Sequence, residues 1–425
     1  MCSIPGGGFL LFGGASSAGP NQTAYTLDGT TWTAQYPPFS PVTRTGHALT
    51  FDPARQNVLL FGGKNPNGTF LPETWTWANG SWTQVATSGT PSPRTGHRIS
   101  FDAQSQTCLL FGGESATGVA LGDFWSWNGV SWSPRTSNSI PPARSRHGMA
   151  LDALRGRIVL FGGKSGSARL QDTWEWDGAD WTNVTPQATS QSPSARDGQS
   201  MTYDPRSERI VLHGGETTTE CRSDVWSWNG SAWTLHTPAA GAIASARADA
   251  QLVHDQATNS LRLFGGGCGA NSNADLWSLT MPTFASAIAY GQPCIGTAGA
   301  LGLRTVQGSV PVIGQTFRME MTNVPGLAPC FGLLGFSNTT IAGAPLPLAL
   351  EFLNMPGCLA YMSKDMTFPL PLQINVFQPT AWDLALPLDP VFLSLHIYLQ
   401  GLALEFGSAR FATVTNGIDA RIGDR

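Results

Sequence analysis

An apolar run ending in Gly-Gly occurs six times in this chain: LLFGG at Gly13–Gly14, Gly62–Gly63 and Gly112–Gly113, VLFGG at Gly162–Gly163, VLHGG at Gly214–Gly215 and RLFGG at Gly265–Gly266. First-glycine spacings are 49, 50, 50, 52 and 51 residues. A period near fifty confines the chain to folds in which one small supersecondary unit packs on copies of itself. A tryptophan-rich phrase follows each run: ETWTWANGSWT from Glu73, DFWSWNGVSWS from Asp123, DTWEWDGADWT from Asp172 and DVWSWNGSAWT from Asp224. A fainter copy, TAYTLDGTTWT, begins at Thr23, and a clipped one, DLWSL, at Asp275.

Residues 145–196 serve as the sample unit. GMALD reads as a short strand, ALRGR as a turn, RIVLFGG as an apolar strand and KSGSARLQ as a loop; DTWEWDG and WTNVT read as two further strands. Asp-Gly or Asn-Gly between the last two signals a type I′ hairpin, because both turn residues take positive φ. Each unit is thus a four-stranded antiparallel meander that buries its faces only by packing around an axis. The first and third tryptophans of each phrase are expected to flank the hairpin and pack against the next sheet, as structural parts rather than a sugar platform. The acid opening each phrase (Glu73, Asp123, Asp172, Asp224, Asp275) is expected to tie loops rather than to catalyse.

These features resemble the Kelch-repeat β-propellers of the galactose-oxidase-like superfamily. The likeness rests on Gly-Gly closing the second strand, an aromatic in the third, tryptophan opening the fourth, and Arg-x-Gly-His before the first. That last element reads RTGH at Arg44 and Arg94 and RSRH at Arg144, then decays to RDGQ at Arg196 and RADA at Arg247. The resemblance implies a six-bladed Kelch-type propeller over 1–290; the short strands and turns of 291–425 suggest a β-sandwich or jelly-roll-like domain, so the whole chain is expected to be all-β. GFLLFGG opens the first unit at its second strand, so the inner strand is expected to be missing, lost upstream with a signal peptide. FASAIAY (284–290) is free to be the outer strand of the last blade.

Beyond Gly291 the tryptophans dwindle to Trp382, and TFRMEMTNV alternates strictly, with Phe317, Met319 and Met321 on one side. The module resembles C-terminal β-modules of large secreted bacterial proteins, which implies surface attachment, sorting or glycan contact. Charged residues are 12% of the chain, about half the usual share, and the net charge of −4 comes without a basic run; both argue against a nucleic-acid partner. No apolar run approaches the ~18 residues of a membrane helix. Seven cysteines form no CxxC. Cys221 and Cys268 follow Gly-Gly in neighbouring repeats and are placed to be bridged if those repeats pack side by side; Cys294 and Cys358 are a second candidate pair. Reduced, buried thiols are the alternative for both. Low lysine and charge with many Ser, Thr, Gly and Asn point to a secreted or cell-surface protein.

Tight turns share one end of the propeller, and the long loops after Gly-Gly and the crossovers share the other, where function concentrates. The resemblance implies that the position after each crossover arginine rims the channel mouth: Thr45, Thr95, Ser145, Asp197 and Ala248. Lys64, Glu114, Lys164 and Glu216 follow Gly-Gly and suit a polar or sugar ligand. Arg98 stands where other units have Ala48, Gly148, Ser200 and Gln251, and Arg146 and Asp249 replace a recurring glycine; such an arginine suits a carboxylate or sulfate. His47, His97, His147 and Gln199 share one repeat position, which admits a divalent-metal reading, although histidine there is common in Kelch repeats and no metal or other cofactor is expected. No nucleophile elbow, phosphate loop or HExxH occurs. The sequence therefore favours a recognition protein binding a glycan or protein at the long-loop mouth. The alternatives are a carbohydrate lyase or epimerase centred on Arg98, His97, His147 and Arg146, and a structural component of an extracellular assembly.

Overall fold

A computed structural model describes residues 1–281 except 5–7, 17–18, 21, 30, 88, 188–190, 238–243 and 270, and about two thirds of residues 282–425. The chain divides into two compact units, Met1–Met281 and Pro282–Arg425. The described residues form strands, turns and bends without a helix.

The first unit is a ring of six antiparallel meanders, called blades one to six in chain order. Blade two shows the plan: Ala48–Asp52, Asn57–Phe61, Thr74–Ala78 and Ser81–Val85 pair in sequence order. Blades three, four and five repeat it. In blades two to six the turn between first and second strands is tied by a buried aspartate, Asp52, Asp102, Asp152, Asp204 or Asp255. Asp52, for instance, accepts hydrogen bonds from the backbone N–H groups of Ala54 and Arg55, and Asp204 from those of Arg206 and Ser207.

Blade one has an inner strand after all. Cys2–Ser3 pairs with Phe9–Leu10 and lies beside the inner strands of blades two and six, so two residues suffice to close the ring. Blade six has three described strands, Gln251–Asp255, Ser260–Phe264 and Leu276–Leu279. Ser286–Tyr290, expected as its outer strand, pairs with Gly417–Arg421 in the second unit, where its alternating pattern finds a longer partner.

Two local expectations change. Only the Asn79-Gly80 hairpin has both φ angles positive, 50° and 77°. In blades three to five the Asn or Asp comes one residue earlier (WNGVSW against WANGSW), which makes a four-residue loop. There the Asn128, Asp177 or Asn229 side chain accepts two backbone N–H bonds. In blade four the segment after Gly-Gly is no loop: Arg157–Ser165 and Ala168–Trp176 continue as a hairpin, turning at Gly166 and placing Lys164 opposite Arg169.

The tryptophans are structural, but in other roles than expected. It is the second and third of each phrase that face each other across the hairpin, as in Trp77–Trp82 and Trp228–Trp233, with ring centroids 5.1 and 5.3 Å apart. The third also packs on the second-strand phenylalanine of the preceding blade: Trp82 on Phe12, Trp132 on Phe61, Trp181 on Phe111 and Trp233 on Phe161. Trp32 on Phe264, at 5.1 Å, joins blade one to blade six. Interlocking indoles of this size bury 150–250 Å² each and supply much of the cohesion between sheets too small to stand alone.

In the second unit a three-stranded sheet (Gly302–Thr305, Thr316–Thr322, Thr380–Ala385) and a five-stranded sheet share one core, including Phe317, Met319, Met321, Trp382, Leu399 and Ile418. The alternation in TFRMEMT thus buries one face, as a two-sheet sandwich requires.

Candidate functional site

The ring surrounds a channel of about 780 Å³. One end is built on a repeated clamp. Arg44, Arg94, Arg144, Arg196 and Arg247 are buried, and each meets the acid that opens its blade's third strand: Glu73, Asp123, Asp172, Asp224 or Asp275. Except for the Arg44–Glu73 contact, the nearest nitrogen–oxygen distance is 2.6 Å, and both carboxylate oxygens are engaged. The same acid accepts from the indole N–H two residues on, as Asp123 does from Trp125. Burial would raise these carboxyls, but the arginine bonds outweigh it and hold Asp123, Asp172 and Asp224 below the usual range. At Asp275 the Arg247 bond is the largest influence, and the pKa falls to about 2. The acids are loop ties, as the sequence implied.

Beside each clamp the residue after the arginine pairs with the residue after Gly-Gly: Thr45 with Lys64, Thr95 with Glu114, Ser145 with Lys164 and Asp197 with Glu216. The two sets singled out by repeat position are therefore neighbours. One residue further on, a chain of backbone hydrogen bonds runs from blade to blade: Gly96 N–H to the Gly46 carbonyl, Arg146 to Gly96, Gly198 to Arg146 and Asp249 to Gly198, at 2.7–2.9 Å. This band needs left-handed backbone. The glycines have φ of 64–70°, and Arg146 and Asp249 are forced to 54° and 56°, at a cost of roughly 1 kcal/mol each. Strain of this kind collects at functional sites.

Thr45, Lys64, Thr95, Arg98, Glu114, Ser145, Arg146 and Lys164 line the channel, with Asp249 among them. Asp197 lies under the rim, fully buried, and Glu216 beside it. Arg146 reaches Asp249 at 2.8 Å, Asp197 at 3.1 Å and Glu216 at 4.0 Å; Arg169 binds Asp197 at 2.6 Å and Glu216 at 3.0 Å. Lys164 and Glu114 form a separate pair at 3.3 Å. The roles of Arg169 and Asp249 escaped the sequence reading. Arg169 lay in the supposed loop, and its only signal was its place opposite Lys164 once the hairpin is extended.

Arg98 differs. Its Nε donates to the His147 carbonyl at 2.9 Å, and among the described residues no carboxylate lies within ion-pair distance of it or of Lys64. Burial lowers the Arg98 pKa; Asp249 opposes that shift and Arg146 adds to it, so the three side chains share one electrostatic neighbourhood. A guanidinium remains charged under such a shift.

Of the histidines, His47 borders the channel, and His97 and His147 do not. His47, His97 and His147 each meet the phenylalanine of the preceding blade edge-on, Phe12, Phe61 and Phe111, at 5.5–5.8 Å. His97 and His147 are sealed from solvent. A Cβ on Gly62 would fall 2.8 Å from the His97 ring, and φ there is +72°, so glycine and histidine fit as a pair. Burial drives the His47 pKa to about 3 and those of His97 and His147 well below the ordinary value. Gln199 does the same job by donating to the Phe161 carbonyl at 2.7 Å. The four residues occupy four separate seams, and no group of three or more His, Cys, Asp or Glu among the described residues could hold a metal. His97 and His147, near which the lyase or epimerase alternative centres its site, are buried in these seams.

Cys221 and Cys268 form a disulfide joining blades five and six at this end, with Cα atoms 6.0 Å apart. Cys294 and Cys358 lie outside the described residues.

Fold and mouth together define a six-bladed β-propeller, and its repeats are similar to Kelch repeats. Residues 75–193 match the KLHDC2/KLHL20/DRC7 Kelch-repeats domain model. Among solved structures, one titled "Structure of YjhT" superposes with a TM-score of 0.52 at 16% identity, covering 66% of this chain and 93% of that one, a likeness of fold alone. No curated protein matches the chain.

Proposed function

We propose that this chain is a secreted or cell-surface recognition protein that binds an acidic glycan at the long-loop mouth of its propeller. Arg98 carries the reading: a guanidinium fixed by one backbone carbonyl, lining a channel, with no carboxylate of its own among the described residues. A site that holds an unpaired arginine favours a planar anion able to accept its forked hydrogen bonds. Lys64, the paired Lys164 and Glu114, and the hydroxyls of Thr45, Thr95 and Ser145 supply polar contacts around it. The disulfide supports an oxidising compartment. The sandwich serves as the attachment or extension module.

The test is a glycan array with the full chain, run with and without chelator, alongside Arg98→Ala. Selective binding to acidic glycans that survives chelator, leaves the sugar unchanged and falls at least about tenfold in the variant is the expected outcome. Unsaturated or epimerised products would move the protein to the enzymes, and capture of proteins alone would replace the glycan with a protein ligand.

A further inference from the structure

We propose that Asp249 is an internal stand-in for the ligand's acid group: a sugar carboxylate takes Arg146 Nη2 from Asp249 and bridges it to Arg98. The inference rests on the recognition reading above and deepens it to a carboxylate-bearing sugar.

Arg146 is held from two sides that are unlike. Asp197, with a side chain 0% exposed, lies 3.1 Å from its Nε and is itself fixed by Arg169 at 2.6 Å. Asp249, 60% exposed, meets Nη2 at 2.8 Å and makes no other side-chain bond among the described residues. The buried side aims the guanidinium, and the exposed side contributes little and is readily exchanged. The pair crosses over Gly198, where a Cβ would fall 2.8 Å from Arg146 Nη2 and 3.2 Å from Asp249 Oδ1, so glycine keeps the path clear. Both partners sit in left-handed backbone that the repeat otherwise gives to glycine. Two residues that independently break a glycine position and then pair across 103 residues form a built contact rather than drift. Both line the same channel as Arg98, whose charge responds to both. Exchanging one carboxylate for another conserves the charge around Arg146 while neutralising Arg98, which has no such partner.

The experiment is calorimetric titration of the full chain with a glucuronate oligosaccharide, a neutral glucose oligosaccharide of equal length and a sulfated one. Asp249→Asn keeps size and tolerates left-handed φ. It is expected to tighten glucuronate binding about two- to fivefold, the equivalent of an exposed ion pair, and to leave melting unchanged. In an Arg146→Gln background the gain should vanish, which a merely structural or long-range effect of Asp249 would not produce. Wild-type binding that Asp249→Asn leaves equal or weaker overturns the stand-in while keeping the recognition reading. Preference for the sulfated or neutral sugar overturns the carboxylate assignment. No binding by wild type or Asp249→Asn to any of the three sinks both.

Discussion

Two seams of the same ring are held differently. Between blades two and three, Phe61 sits under Trp132, the Trp132 indole donates to Thr74 Oγ1 at 2.9 Å, and His97 closes the seam from the mouth side. Between blades five and six all three parts are changed. His213 stands in the place of Phe61, Val225 in that of Thr74 and Ala250 in that of His97, and no fourth-strand tryptophan of blade six is among the described residues. Met281 and Ala244 fill that core instead, beside Val211 and Val225. The disulfide lies across this seam. A repeat ring closes only if every seam holds, so a seam without the aromatic lock is the one that gains most from a covalent tie.

The sharpest break of this comparison is Trp132→Ala. Removing a buried indole from a packed seam costs about 3–5 kcal/mol, and here it also strips Thr74 of its donor. Thermal melting should show the propeller transition falling by several degrees. An unchanged midpoint would mean that the indoles are not the cohesive element.

Breaking the other seam means reducing Cys221–Cys268 or making Cys268→Ser. A bridge spanning 47 residues restricts the unfolded chain by about 4 kcal/mol in the chain-entropy account. Hydrogen exchange under mild reductant should rise first in blade six and in Val225–Trp228, with blades two and three protected. Uniform loss of protection would mean that the tie serves the whole ring.

How much of this was legible in the sequence follows from what repeats. The Gly-Gly period, the clamp acids and the aspartate turns recur in register, so copies corroborate one another. The inner strand Cys2–Ser3 was hidden because two residues carry no periodicity. The tryptophan roles were exchanged because alternation tells which residues share a face, not which neighbouring sheet that face meets. The positions of Thr45, Lys64 and their equivalents were readable from the repeat, but the Arg146–Asp197–Arg169 network was not. Its members come from three strand ends that only the closed ring brings together, and the extended blade-four hairpin that delivers Arg169 reads as a loop by composition.

The seams also differ in what acid does to them. His47, His97 and His147 are depressed by burial, and so is His213, to about 4. A histidine whose folded pKa lies below its unfolded value of about 6.5 contributes stability that is present above that pH. That stability is lost as pH falls from about 6.5 toward the folded value, because unfolding then takes up a proton. Each neutral histidine removes about 1.4 kcal/mol per pH unit in this window, before the clamp acids, depressed further, begin to matter. The Gln199 seam supplies the control: His97→Gln and His147→Gln should flatten the fall in melting temperature between pH 6 and 4.5. An unflattened slope would place the acid sensitivity elsewhere.

The smallest effect separates seams that look alike. Trp132 and Trp233 donate to Thr74 and Thr173, whereas the Trp82 and Trp181 indole nitrogens are buried without a described hydrogen-bond partner. At the position of Thr74, blade three carries Phe124, whose ring meets Trp181 edge-on at 5.7 Å. One seam thus satisfies the indole N–H and the next trades it for an aromatic contact. Thr74→Val keeps the shape and leaves the Trp132 N–H unpaired, which costs about 1 kcal/mol. Phe124→Thr offers Trp181 an acceptor but removes a ring buried under Trp176 as well, at 4.9 Å, so it loses more than it gains. If chemical denaturation instead finds Thr74→Val neutral, the tryptophans act through surface alone and the four seams are energetically one.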